Sequence, residues 1–251
     1  MYTPIGFFAP QGGYVTQDLL WYVDANEVAS YPGSGTTLFD LVGSNDGTIS
    51  GPTFTTAGGV SYFNYTGIND EIEFASLTNI DSTEWTVQFW AWNNASTTTN
   101  YNGIVFVQKS SLNGMGIHIA NETGGTRSPS TSYWFGSVGA GVGSPNTEVY
   151  STGTYSKQQW VFVTVRQQIS GNNGNINFSF NNTIDATYKN GGPYYRSFAS
   201  RVQYLGWWAA SNNENLGHLD GRIGNCLVYN RLLTDQEISD NFNYQKALYG
   251  L

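Results

Sequence analysis

The chain has 251 residues, a formal charge of −8, 11% charged and 16% aromatic side chains, and 30 glycines. That length suits one large β-sandwich, and solubility carried by Ser, Thr and Asn beside many Tyr, Trp and Phe suits sheets better than helices. Its ten basic residues stand singly, which argues against a phosphate-neutralising groove for nucleic acid, and no apolar run nears the roughly 18 residues of a membrane span.

In chain order, residues 1–17 come first, with Pro4, Pro10, the pair Gly12-Gly13 and no regular period. They read as an extended arm. The start, MYTPIGFFAPQGG, lacks the basic head and apolar stretch of a secretion signal. Tyr2, Ile5, Phe7, Phe8 and Tyr14 make this arm apolar without a single charge. Exposed apolar clusters mark interaction sites, so the arm is expected to dock on a neighbouring protein, leaving residues 18–251 to fold as one domain.

Next comes "YPGSGTT", whose glycines, serine and threonines suggest a phosphate-cradling loop. Such a loop needs Lys and then Ser or Thr after its second glycine. No Lys follows Gly35, and the first in the chain is Lys109. A tight structural loop is expected instead, flanked by short edge strands at Asp40-Leu41 and Thr48-Ile49.

From Leu19 onward, short runs of β-formers alternate with turn residues, the pattern of an all-β sandwich. Strands are predicted over 19–24, 60–65, 71–74, 86–92, 103–108, 115–120, 133–138, 160–166, 176–180, 202–207 and 221–229. In "EWTVQFWAW", Trp85, Val87, Phe89 and Ala91 share one face and Thr86, Gln88, Trp90 and Trp92 the other. Both faces are largely apolar, so this strand should be central and covered on both sides. "NINFSFNNTIDATY" reads as a hairpin turning at Asn181-Asn182. One helix is predicted, opened by the capping box Thr234-Asp235-Gln236-Glu237 and followed by Ile238, Phe242, Gln245 and Tyr249 at helical spacing. Cys226 is the lone cysteine, so no intrachain disulfide forms, and it reads as a small buried hydrophobe. His118 and His218 have no partners that would suggest a metal site or a catalytic triad. Five Asn-x-Ser/Thr sequons, at Asn64, Asn94, Asn121, Asn177 and Asn181, read as a by-product of composition.

Three stretches carry a family resemblance. "LWYVDANEVASYPGSGTTLFDLVGSNDGTISGPTF", "YFNYTGINDEIEF" and "HLDGRIGNCLVYNRLLTDQEISDNFNYQKALYGL" resemble, in that order, the concanavalin A-like lectin/glucanase superfamily in its laminin G-like branch. The resemblance implies a jelly-roll sandwich of two antiparallel sheets with one short C-terminal helix. "SYPGSGTT" and the ending "NFNYQKALYGL" are similar to tailed-bacteriophage virion proteins. That implies a non-enzymatic capsid decoration or fibre module, assembled in the host cytoplasm and carried on the virion, with other virion proteins and further copies of itself as partners.

"INDEIEF" also resembles the pentraxins, in which an Asp-Asn pair before the Glu-Ile strand binds calcium. The matching residues are Asn69 and Asp70, with the residue types exchanged. The family's acidic loop after Leu-Gly is replaced here by Trp207-Trp208-Ala209-Ala210, leaving Glu214 as the nearest carboxylate. Calcium seeks six to eight oxygens. No cofactor is therefore expected, with calcium as the ion this resemblance would bring.

Glycosidases of this superfamily use a Glu-x-Asp-x-x-Glu string on one strand. Asp70-Glu71-Ile72-Glu73 is the closest match and lacks the third acid, so an edge strand with one charged face is expected, and no catalysis. Recognition by surface is the remaining class. Trp207, Trp208, Tyr194, Tyr195 and Trp134 are the candidate sugar-stacking rings, and a lectin module is the rival reading, a degenerate glycosidase a third.

Overall fold

The computed structural model describes residues 13–67, 69–77, 83–94, 101–109, 115–120, 122–123, 126–127, 132–141, 144–170, 173–185, 189–190, 202–206 and 218–251. Within these, only the backbone is described at 101–109, 115, 118, 120, 122–123, 126–127, 132–141, 144–149, 169–170, 173–174 and 189–190.

The strands run β1 (Leu19–Asp24), β2 (Thr37–Leu38), β3 (Gly47–Ser50), β4 (Thr53–Ala57), β5 (Val60–Thr66), β6 (Glu71–Phe74) and β7 (Glu84–Asn93). There follow β8 (Tyr101–Lys109), β9 (Met115–Ala120), β10 (Glu122–Thr123), β11 (Thr126–Arg127), β12 (Ser132–Gly141), β13 (Ser144–Tyr150) and β14 (Tyr155–Ser156). The last are β15 (Trp160–Ser170), β16 (Asn173–Phe180), β17 (Thr183–Ile184), β18 (Lys189–Asn190), β19 (Val202–Leu205) and β20 (Asp220–Tyr229), before helix α1 (Asp235–Gln245).

Two antiparallel sheets form a jelly-roll sandwich. The first is ordered β17-β16-β15-β7-β20-β5-β4, with β1 also on β20 and β18 on β16. The second is ordered β13-β12-β9-β8-β19-β6-β3-β2, with β14 on β12. As the alternation requires, β7 lies centrally, between β15 and β20. Trp85, Val87, Phe89 and Ala91 enter the core between the sheets, with Trp21, Phe63, Phe74, Val163, Phe178 and Leu205. Cys226 is buried in the same core, and burial pushes its thiol pKa up.

The other face of β7 meets α1 and the tail after it. Trp90 stacks on Tyr249 at 4.1 Å with the rings 10° from parallel. Gly224 permits that contact, because a Cβ there would lie 2.1 Å from the Tyr249 hydroxyl. The helix has both halves of its capping box, with Thr234 accepting from the Glu237 N–H. Its buried residues are Ile238, Asn241 and Gln245. The two amides work as anchors: Asn241 donates to Gln88 at 2.6 Å and to Tyr229 at 2.9 Å, and Gln245 donates to the buried Asp24 at 2.8 Å.

Several expectations need correcting. The loop after Tyr31 is structural, with Gly33 and Gly35 at φ of 91° and 98° and the Tyr31 hydroxyl donating to the Gly35 carbonyl at 2.9 Å. The edge strands beside it, however, are Thr37–Leu38 and Gly47–Ser50. Asp40 instead holds a turn together, accepting from the N–H groups of Tyr22, Val42 and Asn45. β6 is interior, between β19 and β3, and no edge strand. β19 stops at Leu205 because Gly206 takes a φ of 91°, and Trp207 lies outside the described residues. Tyr14 is no free arm residue. It is 4% exposed, accepts from Asn225 at 2.6 Å and sits edge-on to Tyr22 and Tyr244.

Candidate functional site

The second sheet offers the face on which a site can be built, because the single described helix covers the first. Its strands alternate cleanly. Ile72, Phe74, Leu205, Ile117 and Ile119 are buried inward. Between them, Thr48, Glu73 and Tyr204 are register partners across β3, β6 and β19, and Ser50 faces Glu71 one step along.

The Tyr204 ring is buried while Glu73 is exposed and Glu71 half-buried. Burial first, then the negative charge of Glu73, its hydrogen bond with the phenol, and Glu71 push the Tyr204 pKa up to about 12. At neutral pH the phenol is therefore protonated and donates to Glu73. A polar row of hydroxyl, carboxylate and phenol results, suited to hydrogen-bonding hydroxyl-rich ligands. Sequence reading singled out Glu71 and Glu73 but missed Tyr204, since nothing in "RVQYLG" marks one tyrosine as the partner of an acid on a strand far earlier in the chain.

Asn69 and Asp70 lie at the sheet's rim. Asn69 adopts a left-handed φ of 54°, which Asn tolerates. Asp70 is 6% exposed, and its Oδ2 accepts from the Thr66 N–H at 2.6 Å and the Thr66 hydroxyl at 2.7 Å. This carboxylate closes the 66–70 turn. Among the described residues no three His, Cys, Asp or Glu side chains group around a metal position. Glu214 falls outside the described residues, as do Trp207, Trp208, Tyr194, Tyr195, Tyr2, Ile5, Phe7 and Phe8. Trp134 lies on β12, register-paired with Ala120 of β9, and only its backbone is described. The described side chains therefore include none of the five candidate sugar-stacking rings.

Three sequon asparagines hold the fold together. Asn177 accepts from Arg166 at 2.7 Å, Asn181 from the Phe162 N–H at 2.8 Å, and Asn94 donates to Asp220 at 2.9 Å.

The laminin G-like family model described as concanavalin A-like lectin/glucanases superfamily matches residues 66–239. Among solved structures, the binding domain of botulinum neurotoxin serotype D/C is similar at 12% identity and a TM-score of 0.58, covering 92% of this chain and 52% of that one. Trypanosoma rangeli sialidase in complex with sialic acid is similar at 11% identity and a TM-score of 0.60, covering 94% and 34%. A heptameric SAP-like pentraxin from Limulus polyphemus aligns at 12% identity and a TM-score of 0.49 over 70% of this chain and 78% of that one. No curated protein sequence matches. The chain thus spans about half of the toxin binding domain and about a third of the sialidase, and at these identities the likeness is one of fold.

Proposed function

We propose that this chain, which belongs to the concanavalin A-like lectin/glucanase superfamily, is a non-enzymatic recognition and assembly module of a tailed-phage particle, a capsid decoration or fibre element. The observation carrying the non-enzymatic part is the Glu73–Tyr204 pair. The phenol is bound to the more exposed acid of the strand, and no third acid follows in "DEIEF". The row Thr48–Glu73–Tyr204 is a binding surface of hydroxyls and carboxylate, and by register position 134 shares its side of the sheet. The particle part is supported by the likeness of "SYPGSGTT" and "NFNYQKALYGL" to virion proteins. The partners are other virion proteins, further copies of the chain and a cell-surface glycan, and the role needs neither cofactor, nucleic acid nor membrane insertion.

Quantitative mass spectrometry of purified virions tests the reading, with the chain expected at structural copy number. A glycan array and a polysaccharide hydrolysis panel run beside it. Array binding by a chain absent from virions would replace the reading with a free lectin. Turnover lost in Glu73→Gln would overturn the non-enzymatic part.

A further inference from the structure

Beyond the Trp90–Tyr249 stack, the outer face of the first sheet ends in one register row: Asn64 on β5, Arg222 on β20, Trp92 on β7 and Trp160 on β15. Arg222 lies between two rings, its Cζ 4.8 Å from the centroid of Tyr62 and 4.4 Å from that of Trp92. Trp160 braces both rings edge-on, at 5.6 Å from Tyr62 and 5.8 Å from Trp92. The guanidinium is thus fixed in position by aromatic walls, without help from an acid.

The other two arginines with described side chains are held differently. Arg166 donates to Asp235, Asn177 and the Leu233 carbonyl, and Arg231 to Glu237 and two carbonyls. Among the described residues Arg222 has no hydrogen-bond acceptor. Its Nε–H is buried without a partner, and so is the Nε1–H of the adjacent Trp92. The residue is half-buried, and no described residue accepts from its Nη atoms. The nearest acid along the strand, Asp220, accepts from Asn94, and Asp70 accepts from Thr66. Asn64, opposite Arg222, makes no side-chain hydrogen bond within the described residues and is half-buried.

We infer that this row is a carboxylate-binding site whose ligand is an acidic sugar. A planar guanidinium with free Nη atoms matches the two oxygens of a carboxylate. Arginine held between ring faces loses little side-chain freedom on pairing, so it is organised before the ligand arrives. A bare carboxylate would use Arg222 alone. The half-buried amide of Asn64 adds a donor–acceptor group beside the guanidinium, which suits the hydroxyls that flank the carboxylate of a uronic or sialic acid. This site is separate from the Thr48–Glu73–Tyr204 row, which lies on the other sheet.

The test is an NMR titration of the full 15N-labelled chain with sodium glucuronate, glucose, sodium acetate and an aspartate-rich peptide, with sodium chloride as the ionic control. The indole Nε1–H peak of Trp92, assigned by its loss in Trp92→Phe, reports the site. Glucuronate is expected to shift it saturably in roughly the millimolar range, with acetate weaker by about tenfold. Glucose should leave it in place. Arg222→Lys keeps the charge but not the fork, and is expected to weaken glucuronate by about tenfold. Absence of a saturable shift in the wild-type chain overturns the site, and this arm needs no variant to fold. Acetate equal to glucuronate, or tighter binding of the peptide, overturns the sugar as ligand. Unchanged glucuronate affinity in a folded Arg222→Lys chain overturns the role of Arg222.

Discussion

The outer face of the first sheet behaves differently at its two ends. Under α1, the buried amides and hydroxyls are linked into one network, beside a Trp90 indole N–H that has no partner. Asn225 accepts from the Trp90 N–H at 3.1 Å and donates to Tyr14 at 2.6 Å and Gln245 at 2.9 Å. Asn241 joins Gln88 and Tyr229, and accepts from the Val15 N–H at 2.8 Å. At the far end, Arg222 is held by ring faces and bonds to nothing within the described chain. One end thus holds its polar side chains by hydrogen bonds within the chain, and the other holds a guanidinium by ring faces alone. The polar network also fixes where the helix lands, since an apolar seam alone would allow it to slide.

The strongest way to break the helix end is Trp90→Ala. Trp90 is fully buried, stacks on Tyr249 and lies 5.0 Å from Phe162 and 6.0 Å from Phe242. Deleting such a ring from a packed site costs about 3–5 kcal/mol. In a chain of this size that lowers Tm on the order of 10 °C, readable by calorimetry. A fall of only a degree or two would mean that the tail does not seal the face.

The contrast itself is sharpened by two isolated substitutions. Asn225→Leu strands the Trp90 N–H and leaves Tyr14 and Gln245 each short of a donor, and each stranded buried group costs about 1–3 kcal/mol. Among the described residues, Arg222→Leu removes no ion pair and no hydrogen bond, only cation–π contact of about 0.5–2 kcal/mol that apolar packing partly replaces. Urea denaturation should place Asn225→Leu well below wild type and Arg222→Leu within about 1 kcal/mol of it. Equal losses would make Arg222 a structural anchor.

Sequence reading reached the sandwich because its signals were local. Alternation in "EWTVQFWAW", positive φ of 46° and 66° at Asn181 and Asn182, and the Thr234 capping box each act over a few residues. Thr53–Ala57 escaped because "TFTTA" is largely exposed and carries no hydrophobic alternation. Tyr14 was misplaced for a different reason. Its partner Asn225 lies 211 residues away, and a tyrosine in an unpatterned segment looks alike whether it meets its own core or another chain. Arg222 was passed over because one arginine between Gly221 and Ile223 reads as an ordinary solvent-facing strand position. Only the register that sets Tyr62 and Trp92 around it gives it meaning.

The smallest expected effect concerns the pH dependence of stability, to which two acid–partner pairs contribute with opposite sign. Arg231 donates to both carboxylate oxygens of Glu237, at 2.6 and 2.8 Å. With burial opposing and Thr234 assisting, this pair holds the Glu237 pKa near 2, below the ordinary 4.5. A depressed acid stabilises the fold fully above its unfolded pKa and loses that contribution as pH falls through its folded value. Stability should therefore decline between about pH 4.5 and 2. The Glu237 side chain is 22% exposed, and solvent screening limits the pair to about 1 kcal/mol. Tyr204 works in the other direction. Its pKa of about 12 lies above the ordinary 10.0, so its contribution is complete below pH 10 and fades as pH rises through 12. Urea midpoints measured from pH 2 to 12 should show that Glu237→Gln lessens the slope of the acid limb alone and Tyr204→Phe that of the alkaline limb alone, where buried Tyr14, Tyr22, Tyr65, Tyr229 and Tyr249, also raised, supply the rest. The change that Tyr204→Phe makes reports on the second sheet's polar row, and the change that Glu237→Gln makes on the helix start. An acid limb unchanged in Glu237→Gln would show that the Arg231 pair, despite its short distances, forms equally well in the unfolded chain.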